Sequence, residues 1–385
     1  MPLDLSLISV IDQHCHQWRR PGPAYAPETY RPLFSEGVDG RIGDDVPATV
    51  YYRWTIRELA RVFECDATEN AVLATRAKLG HEEVARRLMV ESRVEAAVID
   101  FGFAGRGTDL YTVAEMGDQL GGAATFGALR LESFLEELIV ESADVDEVEE
   151  RFRTRLDRQA LRVERIVSLK SIAAYRGGLA IGPADQTTAY QAFAGLKSKA
   201  IEAGSVRVAD RTFLDYFLHI ALAWASAERF PFQFHTGFGD PDVYLLTGNP
   251  IALGSVLQDE RYRDVPLVLL HAGWPYVREL SYLAGVYPNV YLDLGLAIPF
   301  AATEYETVIR QALSLAPSTR VLYSSDGFAI PEHCWFAAAH GRRALASVLD
   351  ELIERGAIDE VDAMEMADQI LRSNASRLYE LDGMG

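Results

Sequence analysis

Ile8-Ser9-Val10-Ile11, followed at once by Asp12-Gln13-His14-Cys15-His16, is the stretch on which the fold of this 385-residue chain turns. A short run rich in β-branched residues reads as a strand, and the polar residues at its end read as chemistry carried on the strand's tip. Residues i and i+2 of an extended segment point the same way, so His14 and His16 can face one ion. With eight histidines in the chain, such a pair arises by chance in about one chain in six. Two histidines in a turn are therefore the plain alternative, and the position of other residues has to decide.

Seven further runs repeat the pattern: 96–99, 124–129, 165–169, 231–234, 266–270, 289–292 and 320–323. Their near-continuous hydrophobicity suits strands covered on both faces. Helical patterns separate them, at 132–158, 185–203, 210–228, 277–287, 305–315, 332–355 and 359–379. Alternating strands and helices predict a parallel sheet. Eight strands is the number of a (β/α)8 TIM barrel, with a doubly wound sheet as the architectural alternative. The chain reads as one barrel domain over 1–385. The connection at about 17–95 is too long for one barrel helix. It opens with the Pro- and Gly-rich 20–23, turns helical from about Thr55 to Val90, and is expected as a helical insertion at the C-terminal face of the barrel.

Composition narrows the partners. A formal net charge of −19 repels phosphate backbones and anionic lipid, which argues against nucleic acid and membrane surfaces. The three cysteines, Cys15, Cys65 and Cys334, have no disulfide-like spacing, so a reduced, cytoplasmic setting is expected. The N-terminus has no basic n-region, so no cleavable signal is expected. No apolar stretch reaches the 18 or so residues of a membrane helix. Phe103-Ala104-Gly105-Arg106-Gly107 reads as a turn, because no GK[ST] follows its glycines. A small-molecule substrate is the expected partner, with room for a homo-oligomer.

Metal-capable side chains stand at the ends of other strands: His235 after the fifth, His271 after the sixth and Asp326 after the eighth. Barrel enzymes place their catalytic groups at these tips. Singly, each is more often a satisfied strand end. Four strand ends in agreement favour a metal site, and neutral imidazoles with a carboxylate suit zinc and similar divalent ions.

In this order and on these strands, His14, His16, His235, His271 and Asp326 resemble the amidohydrolase superfamily. The segments 169–178, 324–328 and 374–379 are similar, more narrowly, to the amidohydrolase-2 branch and to the domain found in FluG-type proteins. The resemblance implies a barrel of the metal-dependent hydrolase type with one or two divalent ions per chain, zinc foremost. His14, His16 and His235 would be ligands, and Asp326 would touch the metal and take a proton from water. His271 would bind a second metal or polarise the substrate carbonyl. Lys170, at the end of the fourth strand, matches the place of a carbamylated lysine bridging two ions; pairing with a carboxylate is its other reading.

Arg176 and Arg130 are expected at the barrel mouth, where a guanidinium can hold a substrate carboxylate. Arg176 is preferred because Gly177-Gly178 would let a ligand approach the backbone; for Arg130 a structural ion pair is an equal reading. Tyr175, Trp274 and His333 are further candidates for the pocket wall. Asp293 is read either as a group orienting His271 or as a helix cap. His81, His219 and His340 lie in helical stretches and read as packing or surface residues. The expected activity is hydrolysis of a small carboxylate-bearing amide, of γ-glutamyl type by the FluG resemblance. The alternatives are a metal-dependent decarboxylase of aromatic acids and a non-catalytic interaction barrel.

Overall fold

The computed structural model describes residues 3–103 and 108–383; residues 104–107 of the glycine-rich turn lie outside them. The strands are β1 (Val10–His16), β2 (Val94–Asp100), β3 (Ala124–Arg130), β4 (Ile166–Ser171), β5 (Phe232–Phe234), β6 (Leu267–Leu269), β7 (Val290–Asp293) and β8 (Val321–Leu322). They form one eight-stranded sheet in sequence order, parallel at every ladder. The segment after β8 returns to β1: Asp326 N donates to His14 O at 2.9 Å and His16 N to Gly327 O at 2.8 Å. The chain is a (β/α)8 barrel. Its first strand begins later than the sequence suggested and contains the His-Cys-His triplet instead of ending before it.

Strand parity sorts the side chains into two cores, as a barrel requires. Val10, Cys15, Ala97, Ile99, Leu169, Phe234 and Leu269 face outward and pack in the layer between sheet and helices. Ile11, Val98, Phe126, Val167, Val268 and Leu322 face inward and are closed from below by Ala375, Tyr379 and Leu381. Cys15 belongs to the outer layer, as expected of a residue between two inward imidazoles.

Two helices differ from their sequence reading. The pattern at 132–158 divides into Leu131–Glu141 and Val145–Arg155, because Asp144 accepts a hydrogen bond from Glu147 N and starts a new helix. The last helical pattern contains a π turn at Gln369–Ser373. Within it Ile370 O accepts a hydrogen bond from Tyr323 N at 2.9 Å, which ties the closing helices to the end of β8.

The longest helices between β1 and β2 are α1 (Val50–Phe63), α2 (Glu69–Leu79) and α3 (His81–Ser92), after two four-residue helices at Pro27–Tyr30 and Ile42–Asp45, so helix begins earlier than Thr55. Thr49 and Thr68 cap α1 and α2 by accepting from Tyr52 N and Ala71 N. Glu332, at the start of the long helix Pro331–Glu354, anchors this segment to the barrel. Fully buried, it accepts from Arg76 Nε at 2.5 Å and from Tyr30 OH at 3.2 Å. A buried carboxylate is tolerable because a guanidinium and a hydroxyl meet it. Among the described residues no helix is long and apolar enough to cross a membrane.

Candidate metal centre

His14 Nδ1 lies 2.9 Å from Gln233 Oε1. The Gln233 amide nitrogen is committed to Gln13 O and Tyr379 OH, so its oxygen faces the imidazole and His14 Nδ1 must donate. His16 Nδ1 lies 3.1 Å from the main-chain oxygen of Asp100, which can only accept. Both rings are therefore held in the tautomer that leaves the Nε2 lone pair free, the usual arrangement behind a metal-binding histidine.

Those two lone pairs converge on one carboxylate oxygen. His14 Nε2 is 3.1 Å and His16 Nε2 3.2 Å from Asp326 Oδ1, and ligand atoms of the three residues lie within 4.8 Å of one another. Burial and the neighbouring Lys170 push His14 down to about 4, so it is neutral near pH 7. Three acceptors thus point at a common space, an arrangement that a divalent cation resolves. The donor set, two imidazoles and a carboxylate, fits such an ion. Asp326 holds a backbone φ of 51°, and His271 one of 68°, in the left-handed region that non-glycine residues adopt at a cost of about 1–3 kcal/mol.

The remaining residues are brought to the same place with different partners. Lys170, 1 % exposed, sits with Nζ 3.2 Å from His14 Nε2. Burial drives its amine down to about 8, against the pull of Asp100 and Asp326. His271 Nδ1 is buried without a partner and lies 4.0 Å from Asp326 Oδ2. His235 borders the centre without joining the three-residue cluster: its Nε2 donates to Phe238 O at 3.0 Å, while its ring packs on His271 and Tyr175. Gly239 permits that packing, since a Cβ there would collide with the Tyr175 hydroxyl.

A cavity of about 360 Å³ opens over the centre, walled by Tyr175, Arg176, Arg130 and Lys170 together with the proposed ligands. Arg130 is spoken for, with Nε 3.0 Å and Nη2 2.5 Å from the buried Asp100 carboxylate. Although burial works to raise Asp100, Arg130 holds it well below the ordinary carboxylate range. Arg176 pairs through Nη2 with Glu136 at 3.1 Å and keeps its buried Nε unpartnered. The two glycines after it serve packing, not a ligand. A Cβ on Gly178 would meet Thr247, and one on Gly177 would press on Arg211.

Two expected wall residues lie elsewhere. Trp274 packs against Phe238. His333 is turned toward the segment between β1 and β2, with Nδ1 2.7 Å from Tyr51 OH and its ring stacked on Phe328 and packed against Phe34. Asp293 acts on the backbone instead of the imidazole: its Oδ2 accepts from His271 N at 2.9 Å and from Gly295 N at 3.1 Å. It thereby fixes the strained turn that carries His271.

Sequence reasoning missed the polar floor. Gln13 Nε2 donates to Asp293 Oδ1 at 2.8 Å, and Tyr379 OH donates to Gln13 Oε1 at 2.6 Å. The signal was present in Phe232-Gln233-Phe234-His235, where glutamine takes an inward position two residues before a metal-capable histidine. It also missed Glu36 and Asp240, which line the cavity from irregular segments that have no periodicity to read.

The amidohydrolase family model Amidohydro_2 matches residues 11–381. The protein fluG of Emericella nidulans is 30% identical over 97% of this chain; the match takes in 46% of the relative, so the chain spans about half of that protein. A crystal structure described as a metal-dependent hydrolase from Lactobacillus casei ATCC 334 superposes with a TM-score of 0.88 at 26% identity, covering 99% of this chain and 97% of that one. A uronate isomerase from Bacillus halodurans C-125 shares the fold, with a TM-score of 0.62 at 14% identity over 97% and 94% of the two chains. The chain belongs to the amidohydrolase family, in its amidohydrolase-2 branch, and resembles the FluG-type members of it.

Proposed function

We propose that this protein is a metal-dependent hydrolase of small, carboxylate-bearing amides, with γ-glutamyl-type amides the first class to test. The observation that carries the reading is the convergence of His14 Nε2, His16 Nε2 and Asp326 Oδ1 at the C-terminal face of the barrel. A divalent ion held by these residues, zinc in our reading, supplies Lewis acidity and makes water a nucleophile near pH 7. Asp326 accepts the proton of the attacking water and carries it toward the leaving nitrogen. His271, which lines the cavity, is our candidate for polarising the scissile carbonyl. Arg176, on the cavity wall, is our candidate for holding the substrate carboxylate, and Tyr175 closes the wall beside His235. Lys170 would carry a second ion once its neutral amine has added CO₂ and released a proton to give a carbamate; burial, which lowers the amine to about 8, favours that neutral form. We further propose a reduced, cytoplasmic setting, which the three free cysteines support.

The test is amine release from a panel of γ-glutamyl amides by protein reconstituted with zinc or manganese, run beside CO₂ release from hydroxybenzoates. Amine release that disappears on chelation is expected. Release of CO₂ alone overturns hydrolysis in favour of decarboxylation. No divalent ion bound, and none restored by zinc or manganese, overturns the metal site itself.

A further inference from the structure

The turn after β8 holds Asp326 at a φ of 51°, a left-handed conformation that a non-glycine residue keeps only where its surroundings impose it. Strand β1 grips this turn at three points. Asp326 N donates to His14 O, and Gly327 O accepts from His16 N; these are main-chain bonds of the kind that close a barrel. The third grip is a side chain. The carboxylate of Asp12, 1 % exposed, accepts from Ser325 N through Oδ1 at 2.8 Å and from Ser325 Oγ through Oδ2 at 2.5 Å. Ser325 Oγ passes the hold on by accepting from Gly327 N at 2.9 Å. One carboxylate thus fixes the residues on both sides of Asp326.

Asp12 does this from the far side of the strand. In the parallel register it stands opposite Ala97, which packs in the outer layer between sheet and helices. Its partner Ser325 likewise lies against Cys334 of that layer, Oγ 3.5 Å from Sγ. The register shifts between Asp12 and Cys15, where β1 has one residue more than β2. Such a bulge re-aims side chains: it lets Gln13 and His14 both serve the barrel interior while Asp12 stays outside. Among the described residues, those that line the cavity include neither Asp12 nor Ser325.

We propose that Asp12 is a positioning residue of the metal centre: acting through Ser325, it imposes the turn that aims Asp326 Oδ1 at the Nε2 atoms of His14 and His16. This rests on the metal-dependent reading of the centre and adds to it a carboxylate that neither holds the ion nor meets the substrate. The two imidazoles ride on β1 and are oriented by Gln233 and the Asp100 carbonyl. Asp326 follows β8 without belonging to a strand, so its aim depends on what grips the turn. Loss of the Asp12 carboxylate strands Ser325 N–H and Oγ in a buried place. The turn then relaxes, and the Asp326 carboxylate swings away from the imidazole pair.

The test is the zinc affinity of the full chain, by competition against a chelating dye, with the absorption bands of the cobalt(II)-loaded protein read beside it. Asp12→Ala should weaken zinc binding about 10–100-fold, the range for loss of a group that orients a ligand, and should alter the cobalt bands as Asp326→Ala does. Ser325→Ala keeps the main-chain bond to Asp12 and should weaken binding about 3–10-fold, the worth of one hydrogen bond. Asp12→Asn keeps an oxygen for Ser325 N and an amide that can donate to Ser325 Oγ, so it should stay within about threefold of wild type. Ser281→Ala is the control for stability alone. Its buried Oγ donates to Ala312 O at 2.7 Å and accepts from Leu315 N at 3.0 Å, between two outer helices, and its loss should leave zinc binding unchanged. Affinity within about twofold of wild type in Asp12→Ala, or in Ser325→Ala if Asp12→Ala does not fold, overturns the proposal. So does an equal loss in Ser281→Ala, or a loss in Asp12→Asn as deep as in Asp12→Ala, which would make the effect one of charge. The metal reading fails differently, with neither zinc nor cobalt bound by the wild type.

Discussion

Replacing Gln233 by leucine tests whether the polar floor of the barrel sets metal affinity. The side chain is 0 % exposed and touches no position at which an ion would sit. Its Oε1 receives His14 Nδ1 at 2.9 Å, and its Nε2 serves Gln13 O at 2.9 Å and Tyr379 OH at 3.0 Å. Leucine keeps the volume and strands a buried imidazole N–H, which costs about 1–3 kcal/mol. His14 is then free to turn over or change tautomer, and it presents Nε2 to the centre for only part of the time. Loss of a partner behind a metal-binding histidine weakens binding by about 10–100-fold, equivalent to about 1.4–2.7 kcal/mol. The assay is competition for zinc against a chelating dye, with urea unfolding of the metal-free proteins in parallel. A folded Gln233→Leu protein that binds zinc within about twofold of wild type would refute the reasoning.

Asp326→Asn should lower kcat by about 10²–10⁴-fold while zinc remains bound, because the amide keeps an oxygen at the site but cannot take a proton; unchanged turnover removes the residue from proton transfer. Lys170→Ala should reduce metal content from two ions per chain toward one if the lysine bridges them, and a stoichiometry of one before and after rejects the bridge. Far from the centre, His340 is caged by Trp54 and Phe336 with neither ring nitrogen hydrogen-bonded, and burial pushes it down to about 4. Folding thus favours its neutral form, so the stability it permits is intact above about pH 6.5 and is lost as pH falls toward 4. At pH 5 the loss is about 2 kcal/mol. His340→Leu should be about that much less acid-sensitive than wild type in urea unfolding at pH 5 and 7.5, and an identical pH dependence in the two proteins would disprove this.

Much of the barrel was legible because strand parity and strand-end chemistry are local. Val10 to His16 carries both in seven residues, and Phe232 to His235 in four. What was illegible depends on contacts between distant segments. The division of 132–158 followed from a single cap at Asp144. His333, close in sequence to Asp326, was a candidate for the pocket wall, yet Tyr51 and Phe34 from the segment before β2 hold it elsewhere. Arg176 read as the better substrate handle and Arg130 equally as an ion pair, and only the structure shows that each has a carboxylate partner, Glu136 and Asp100. Glu36 and Asp240 sit on irregular backbone, where no period marks a residue as inward.

The column from Tyr379 through Gln13 and Gln233 to His14 has a kinetic consequence. Gln13, Gln233 and Asp293 are all 0 % exposed, and their donors and acceptors are matched to one another, so the barrel is corked at the end opposite the cavity. Among the described residues, ions and substrates would then share the cavity mouth that Glu36 helps to line. An occupied doorway should slow the exchange of the ion beneath it, making substrate a guard of the metal that acts on it.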